Sequence, residues 1–303
     1  MAKIISGESF QGFGRALSQI SGIEFIESSS KRFADGEWHV RVHVALQNET
    51  AIIVQSTCRP VNDRLMELLL LADAAKMAGA RRIIAVAPYF GYSRQNKASY
   101  EFGPISVKFI ATMLEVSGVD YLITLDLHSR ESEKFFNIGI SNINPAPLWA
   151  SLIKSRQKSS DDKFTIVSPD AGSRDRAETL AQLVGANVAI VYKQRMEHST
   201  CQTIKVIGEV ANRHCIIVDD IVDTGNTLCN AATALKVAGA LSIRAIVTHA
   251  VLSRGAKRLL RRSHITQITT TNSIKHESPL PDNFLIYDIL PAIGEELKNI
   301  RLY

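Results

Sequence analysis

Short runs of β-branched and other apolar residues alternate along this chain with longer stretches whose apolar positions recur at helical spacing. In the first half, Ile4 to Ser6 is followed by a helical stretch from Ser9 to Ile20 and a second apolar run, Ile23 to Ile26. Ile52-Ile53-Val54 then leads through a loop and an apolar helix to Lys76-Met77-Ala78-Gly79-Ala80 and the strand-like Ile83 to Val86. The second half repeats the order: Phe164 to Ser168, a helical stretch Ser173 to Val184, and Val188 to Tyr192. Ile216-Ile217-Val218 leads in the same way to Lys236-Val237-Ala238-Gly239-Ala240 and Ile243 to Val247. Strand runs separated by helices of ten or more residues predict parallel sheets, because a parallel pair needs a crossover of that length. The expected fold is α/β, with two tandem, internally repeated parallel-sheet domains. Prolines at 145 and 147 disfavour both helix and central strand and put the junction there. The expected domains are therefore 1–144 and 145–288, followed by a C-terminal helix over 289–303 that packs back on the first domain.

Composition narrows the function. With 46% apolar and 21% charged residues in 303, the chain can bury large cores and is not disordered. A net charge of +5, spread rather than gathered into basic blocks, argues against a nucleic-acid partner and suits small anionic ligands. The most apolar stretch, Leu65 to Ala80, is broken by Glu67, Asp73 and Lys76, so it reads as a buried helix and not a membrane span. The opening residues lack the apolar core of a secretory signal. Cys58, Cys201, Cys215 and Cys229 have neither metal-ligand nor disulfide-framework spacing, so free thiols and a cytoplasmic location are expected.

Candidate chemistry concentrates where the second-half strand Ile216 to Val218 empties into Asp219-Asp220-Ile221-Val222-Asp223-Thr224-Gly225-Asn226-Thr227, ahead of an Ala-rich helix. In parallel sheets ligands sit beyond the C-terminal strand ends. A helix N-terminus there offers unpaired N–H groups and a positive dipole end, and Thr224, Gly225 and Thr227 add hydroxyls and close backbone approach, a cradle for phosphate. The adjacent acids Asp219 and Asp220 can accept hydrogen bonds from vicinal sugar hydroxyls or hold a metal through water. The plainer alternative is an acidic helix cap. Against it, the corresponding first-half segment, Gln55-Ser56-Thr57-Cys58-Arg59-Pro60, has neither the acids nor the glycine. Gly7, Gly12 and Gly14 have the wrong spacing for a dinucleotide fingerprint and mark turns around the first helix.

The loop Asp219 to Thr227 resembles the phosphoribosyl-diphosphate-binding loop shared by type I phosphoribosyltransferases and ribose-phosphate diphosphokinases. Only the latter family joins two such domains in tandem, and the resemblance spans essentially the whole chain. It runs through Arg32 to Glu37, Pro88 to Gln95, Asp126-Leu127-His128, Val167 to Asp170 and Lys193-Gln194-Arg195. It implies a homo-oligomer that transfers the diphosphate of Mg·ATP to ribose 5-phosphate, with Mg²⁺ as cofactor. By the same resemblance, Phe33, Asp35, Glu37, Arg94 and Gln95 bind ATP, the Phe33 segment reaching the site of a neighbouring subunit. His128 and Asp170 are the implied metal ligands. Asp219, Asp220, Asp223, Thr224, Gly225, Asn226 and Thr227 bind the ribose phosphate, and Lys193 with Arg195, on a mobile loop that also holds His198, Ser199 and Thr200, stabilises charge on the transferred diphosphate. Read without the resemblance, a structural histidine is the favoured reading of His128 and a solvated strand end that of Lys193 and Arg195, while Asp170 is equally a turn aspartate.

Two departures from the family pattern bear on specificity. The nucleotide segment continues Arg94-Gln95-Asn96 where the family has Arg-Gln-Asp, and Gly225 precedes Asn226 where the family places a small residue and then Gly. The second leaves a larger 5′-substituted ribose, such as ADP-ribose, as the alternative acceptor, beside a non-catalytic regulatory homologue as the alternative role.

Overall fold

The computed structural model describes residues 1–156, 163–195 and 202–300, with side chains outside 193–203. It divides into two units, one formed by 1–143, 273–275 and 288–303, the other by 144–272 and 276–287.

Unit 1 begins with β1 (Ala2–Ser6), α1 (Gln11–Ser21) and β2 (Glu24–Phe25). A hairpin of β3 (Ser28–Arg32) and β4 (Trp38–Val42) follows, then β5 (Thr50–Val54), α2 (Val61–Met77), β6 (Arg82–Ala87), α3 (Ser106–Val116), β7 (Tyr121–Leu125) and β8 (Gly139–Ile143). Its six-stranded sheet has the order β2-β1-β5-β6-β7-β8 and is parallel throughout. Parallel strands covered on both faces lose the apolar/polar alternation, and β5 is buried at every position. Ile53, Leu68, Ile83 and Leu114 are among the core side chains of this unit, each worth about 1.5–3 kcal/mol when fully buried. Gly14 lets α1 lie against β1, since a Cβ there would fall within 1.9 Å of the Ser6 hydroxyl.

Unit 2 runs α4 (Ala146–Arg156), β9 (Phe164–Ser168), α5 (Arg174–Val184), β10 (Asn187–Arg195), β11 (Gln202–Ile207), β12 (His214–Val222), α6 (Asn226–Val237), β13 (Ser242–Ala250), α7 (Ala256–Arg261), β14 (Gln267–Thr271) and β15 (Phe284–Tyr287). Its seven strands lie in the order β11-β10-β9-β12-β13-β14-β15, parallel except for the β10–β11 hairpin. β9-β12-β13-β14-β15 thus repeats β1-β5-β6-β7-β8, so the repeat continues past the runs legible in sequence. The chain ends in α8 (Leu290–Asn299), which packs on α1 within unit 1.

Three local expectations change. Pro147 does not interrupt a helix but sits in the first turn of α4, where its missing N–H has no intrahelical partner to lose. β12 continues to Val222, so Asp219 and Asp220 belong to a strand and not to the loop after it. β10 continues to Arg195, which places Lys193 and Arg195 within a strand paired to Ile204 and Gln202 of β11. His198, Ser199, Thr200 and Cys201 lie outside the described residues, as does 157–162 of the polar run. Cys58, Cys215 and Cys229 are free thiols. No helix among the described residues is long and apolar enough to cross a membrane.

Candidate active site

In unit 2, the C-terminal ends of β9 and β12 bring three carboxylates together. β9 empties into Pro169-Asp170, and Asp170 Oδ1 accepts the N–H groups of Gly172 (2.9 Å) and Ser173 (3.1 Å), closing the turn into α5. The Ser173 hydroxyl then donates to Asp219 Oδ1 at 2.7 Å, and the N–H of Asp220 donates to the same oxygen at 3.0 Å. Asp219 is 8% exposed and Asp220 3%. Arg176, one turn into α5, stands 4.0 Å from the Asp220 carboxylate. Burial holds the Asp219 carboxyl well above the ordinary carboxylate range, and the negative charge of Asp220, then of Asp170, adds to the effect against the Ser173 hydrogen bond. A buried acid cluster of this kind has an excess of negative charge that a cation or hydroxyl donors would offset.

Beyond Val222 the backbone turns through Asp223, Thr224 and Gly225 into α6. The Ser253 hydroxyl bonds the Asp223 carboxylate, and Ser253 N–H donates to the Asp223 carbonyl at 3.0 Å, so this turn is tied to the loop after β13. Thr224 Oγ1 accepts the N–H of Asn226 at 3.4 Å. Gly225 stands at the N-cap of α6 with φ +83°, and a Cβ there would meet Leu260 at 3.1 Å. Both the backbone and the packing demand glycine. Gly225→Ala is therefore expected to destabilise the protein by about 1–2 kcal/mol, read as a lower urea midpoint at unchanged slope. Thr224 and Asn226 are exposed, and Thr227 is half-buried at the helix start.

Unit 1 treats the corresponding place differently. Glu67 of α2, 0% exposed, inserts its carboxylate between the ends of β1 and β5. Its oxygens accept the N–H of Glu8 at 2.7 Å, the Gln55 amide at 2.9 Å and the Arg64 guanidinium at 3.1 Å. A Cβ on Gly7 would collide with Gln55 and Glu67. At the end of β5, where the second repeat has Asp219, the first has Gln55, hydrogen-bonded to this buried carboxylate.

The other unit 1 candidates emerge from the C-terminal ends of adjacent strands. After β6, Phe90 is buried edge-on to Phe136, and Gly91 N–H donates to Thr57 Oγ1 at 2.6 Å where a Cβ would not fit. Arg94 is exposed, while Gln95 Oε1 accepts the Ser106 hydroxyl at 2.6 Å, linking the segment to the start of α3. His128 is exposed just past β7. Phe33, 56% exposed, Asp35 and Glu37 form the tip of the β3–β4 hairpin, closed by Phe33 N–H to Glu37 O (2.9 Å), with the Phe33 ring edge-on to His39. Arg32 lies over the Trp38 ring and pairs with Asp63 of α2 at 2.7 Å, fixing the hairpin's base.

The structure thus joins Asp170, Asp219 and Asp220, with the 223–227 turn following Asp220 along the chain, and puts Arg94 and Gln95 in the segment between β6 and α3 and His128 in the turn after the neighbouring β7. Ser173 and Arg176, which partner the two adjacent acids, were not singled out by sequence. The spacing Asp170-x-x-Ser173 at a helix start is the signal that could have found the first. Among the described residues no group of three His, Cys, Asp or Glu side chains is arranged to hold a metal by itself.

Comparison with known proteins first sets the class: residues 141–282 match the phosphoribosyl transferase domain family, and residues 2–118 the family described as the N-terminal domain of ribose phosphate pyrophosphokinase. The chain is 39% identical to the ribose-phosphate pyrophosphokinase of Thermosipho africanus over 99% of its length and 94% of that protein. It is 41% identical to the same enzyme from Bradyrhizobium diazoefficiens over 90% of its length and 85% of that protein. The crystal structure of phosphoribosylpyrophosphate synthetase from Mycobacterium smegmatis superposes with a TM-score of 0.91 at 28% identity, covering 98% of this chain and 97% of that one. The chain belongs to the ribose-phosphate pyrophosphokinase family.

Proposed function

We propose that this enzyme transfers the diphosphate of ATP to the 1-hydroxyl of ribose 5-phosphate, giving 5-phosphoribosyl 1-diphosphate and AMP. The observation that carries the division of labour is the contrast between the repeats. Unit 2 keeps a buried acid pair leading into an accessible helix start, whereas the matching strand end of unit 1 carries Gln55, bonded to the buried Glu67. Unit 2 is then the acceptor domain and unit 1 supplies the nucleotide segments.

Asp219 and Asp220 accept hydrogen bonds from the ribose diol, while the first N–H groups of α6 with Thr224, Gly225, Asn226 and Thr227 take the 5′-phosphate. Asp223, held by Ser253, shapes the turn. Arg94 and Gln95 contact the nucleotide, and His128 the phosphates. The exposed tip carrying Phe33, Asp35 and Glu37 completes the ATP site of a neighbouring subunit in a homo-oligomer. A cytoplasmic location fits the free thiols.

Mg²⁺ fits the acid cluster. The donors are hard carboxylate oxygens gathered at two adjacent strand ends, and Mg²⁺ takes one or two carboxylates, completing its shell with phosphate oxygens and water. Asp170 is the carboxylate proposed to hold it, and His128 the imidazole on the metal-nucleotide. When bound, the ion offsets phosphate charge and makes the β-phosphorus more electrophilic. The anomeric oxygen attacks that phosphorus in line, its proton passes to solvent, and the bond to the bridging oxygen of AMP breaks. Lys193 and Arg195 offset the charge that moves onto the bridging oxygen and the transferred group.

Asn226 bears on the acceptor. An amide donor there suits a phosphate monoester, so ribose 5-phosphate is expected to outcompete ADP-ribose when both are mixed with Mg·ATP and the products weighed by mass spectrometry. Asn226→Gly should raise the KM for ribose 5-phosphate about fivefold, the loss of one hydrogen bond of about 1 kcal/mol. Predominant pyrophosphorylation of ADP-ribose would overturn the choice of acceptor but not the chemistry.

A further inference from the structure

The turn that presents His128 is clamped from the neighbouring edge strand. β7 ends at Leu125, and Asp126 then adopts a left-handed backbone, φ +46°, which is costly for a residue with a side chain. Two N–H groups of this turn reach β8. That of Asp126 donates to the Ile143 carbonyl at 3.1 Å, and that of Leu127 to Asn142 Oδ1 at 3.0 Å. The Asn142 amide is itself oriented, because its Nδ2 donates to Glu133 Oε1 at 2.8 Å. Glu133 lies on the 3-10 turn Arg130–Phe135 that follows His128. The chain leaves β7, passes His128, turns at Glu133 and returns along β8, and Asn142 ties both limbs of this excursion together. Asparagine is poorly suited to a strand, so its side-chain bonds, not its strand propensity, account for it here.

We infer that Asn142 is a positioning residue for the diphosphate transfer: aligned by Glu133, its side-chain oxygen fixes the backbone from which His128 meets the phosphates. This rests on the reading of His128 above. Without the clamp the left-handed turn can relax, and displacing a group near the reacting phosphates by a fraction of an ångström costs rate without removing any contact to substrate.

Exchanging the two partners tests it. Asn142→Asp keeps an oxygen for the Leu127 N–H but sets a carboxylate against Glu133, and Glu133→Gln restores a donor facing it. Asn142→Asp is expected to lower kcat roughly tenfold, with melting showing the protein folded. The double variant Asn142→Asp/Glu133→Gln should recover kcat to within about twofold of the parent, a non-additivity that residues in one network show. In a His128→Ala background, Asn142→Asp should cost nothing further. A double variant no faster than Asn142→Asp alone, or an undiminished tenfold loss in the His128→Ala background, would overturn the inference while leaving His128 in its role. Unchanged kcat and ATP KM in His128→Ala alone would instead remove the role of His128, and the inference with it.

Discussion

Replacing both Asp219 and Asp220 with Asn is expected to lower kcat/KM for ribose 5-phosphate by about two to four orders of magnitude, because two charge-assisted bonds of about 1.5–3 kcal/mol each are lost. Binding of ATP should be unaffected, since the segments proposed to bind it lie in unit 1. Asp219 is also a burden on the empty fold. Asp219 is held protonated more tightly in the native state than in the unfolded chain, first by burial and then by Asp220. An acid whose native pKa is raised is stabilising only while protonated. Its contribution is fully present below the ordinary carboxylate range and is lost as pH rises from there until the native carboxyl has itself ionised. At neutral pH the single variant Asp219→Asn should therefore melt at a higher temperature than the parent, with the difference shrinking as pH falls toward 4. Asp220→Asn should not share this gain, because it removes the negative charge that the Arg176 guanidinium faces at 4.0 Å. Acceptor kinetics and a pH series of melts check the two halves. An unchanged kcat/KM for ribose 5-phosphate in the double variant would remove the acids from the acceptor site.

Much of this architecture was legible because it rests on patterns that burial enforces. Parallel strands covered on both faces must be apolar runs, as in Thr50–Val54 and Cys215–Val218, and the helices between them must be long enough to cross over. The repeat made each half a check on the other and showed that the scaffold does not need acids at the end of this strand. What sequence did not disclose is where a strand ends when its last residues are polar. Asp219 and Asp220 prolong β12 because β13 offers a pairing partner as far as Ala250, which no local preference records. Likewise Lys193 to Arg195 prolong β10 because β11 pairs with them. Partners far apart in sequence were equally hidden: Ser173 for Asp219, Ser253 for Asp223, Asn142 for Leu127. Glu67 is the clearest case. As a charge within an apolar stretch it served only to exclude a membrane span, whereas in three dimensions its carboxylate joins the Glu8 N–H, Gln55 and Arg64.

Lys193→Ala should reduce kcat about a hundredfold with little change in the KM of either substrate. The reason lies in when its charge matters. On the proposed reading, Mg²⁺ and the nucleotide segments would already compensate the diphosphate in the ground state. As the bond to AMP breaks, new charge develops on the bridging oxygen, and a cation placed for that moment acts on the transition state alone. Loss of such a contact costs about 3 kcal/mol, hence the hundredfold effect. The backbone supports the placement. Lys193 and Arg195 are two residues apart on β10, in the same phase of the pleat, on a hairpin that extends past the parallel part of the sheet, where β9 pairs only as far as Ile190. Steady-state kinetics with each substrate varied in turn separates the possibilities. A loss confined to KM would make Lys193 a ground-state binder, and no change in either constant would return it to a solvated strand position with no part in the transfer.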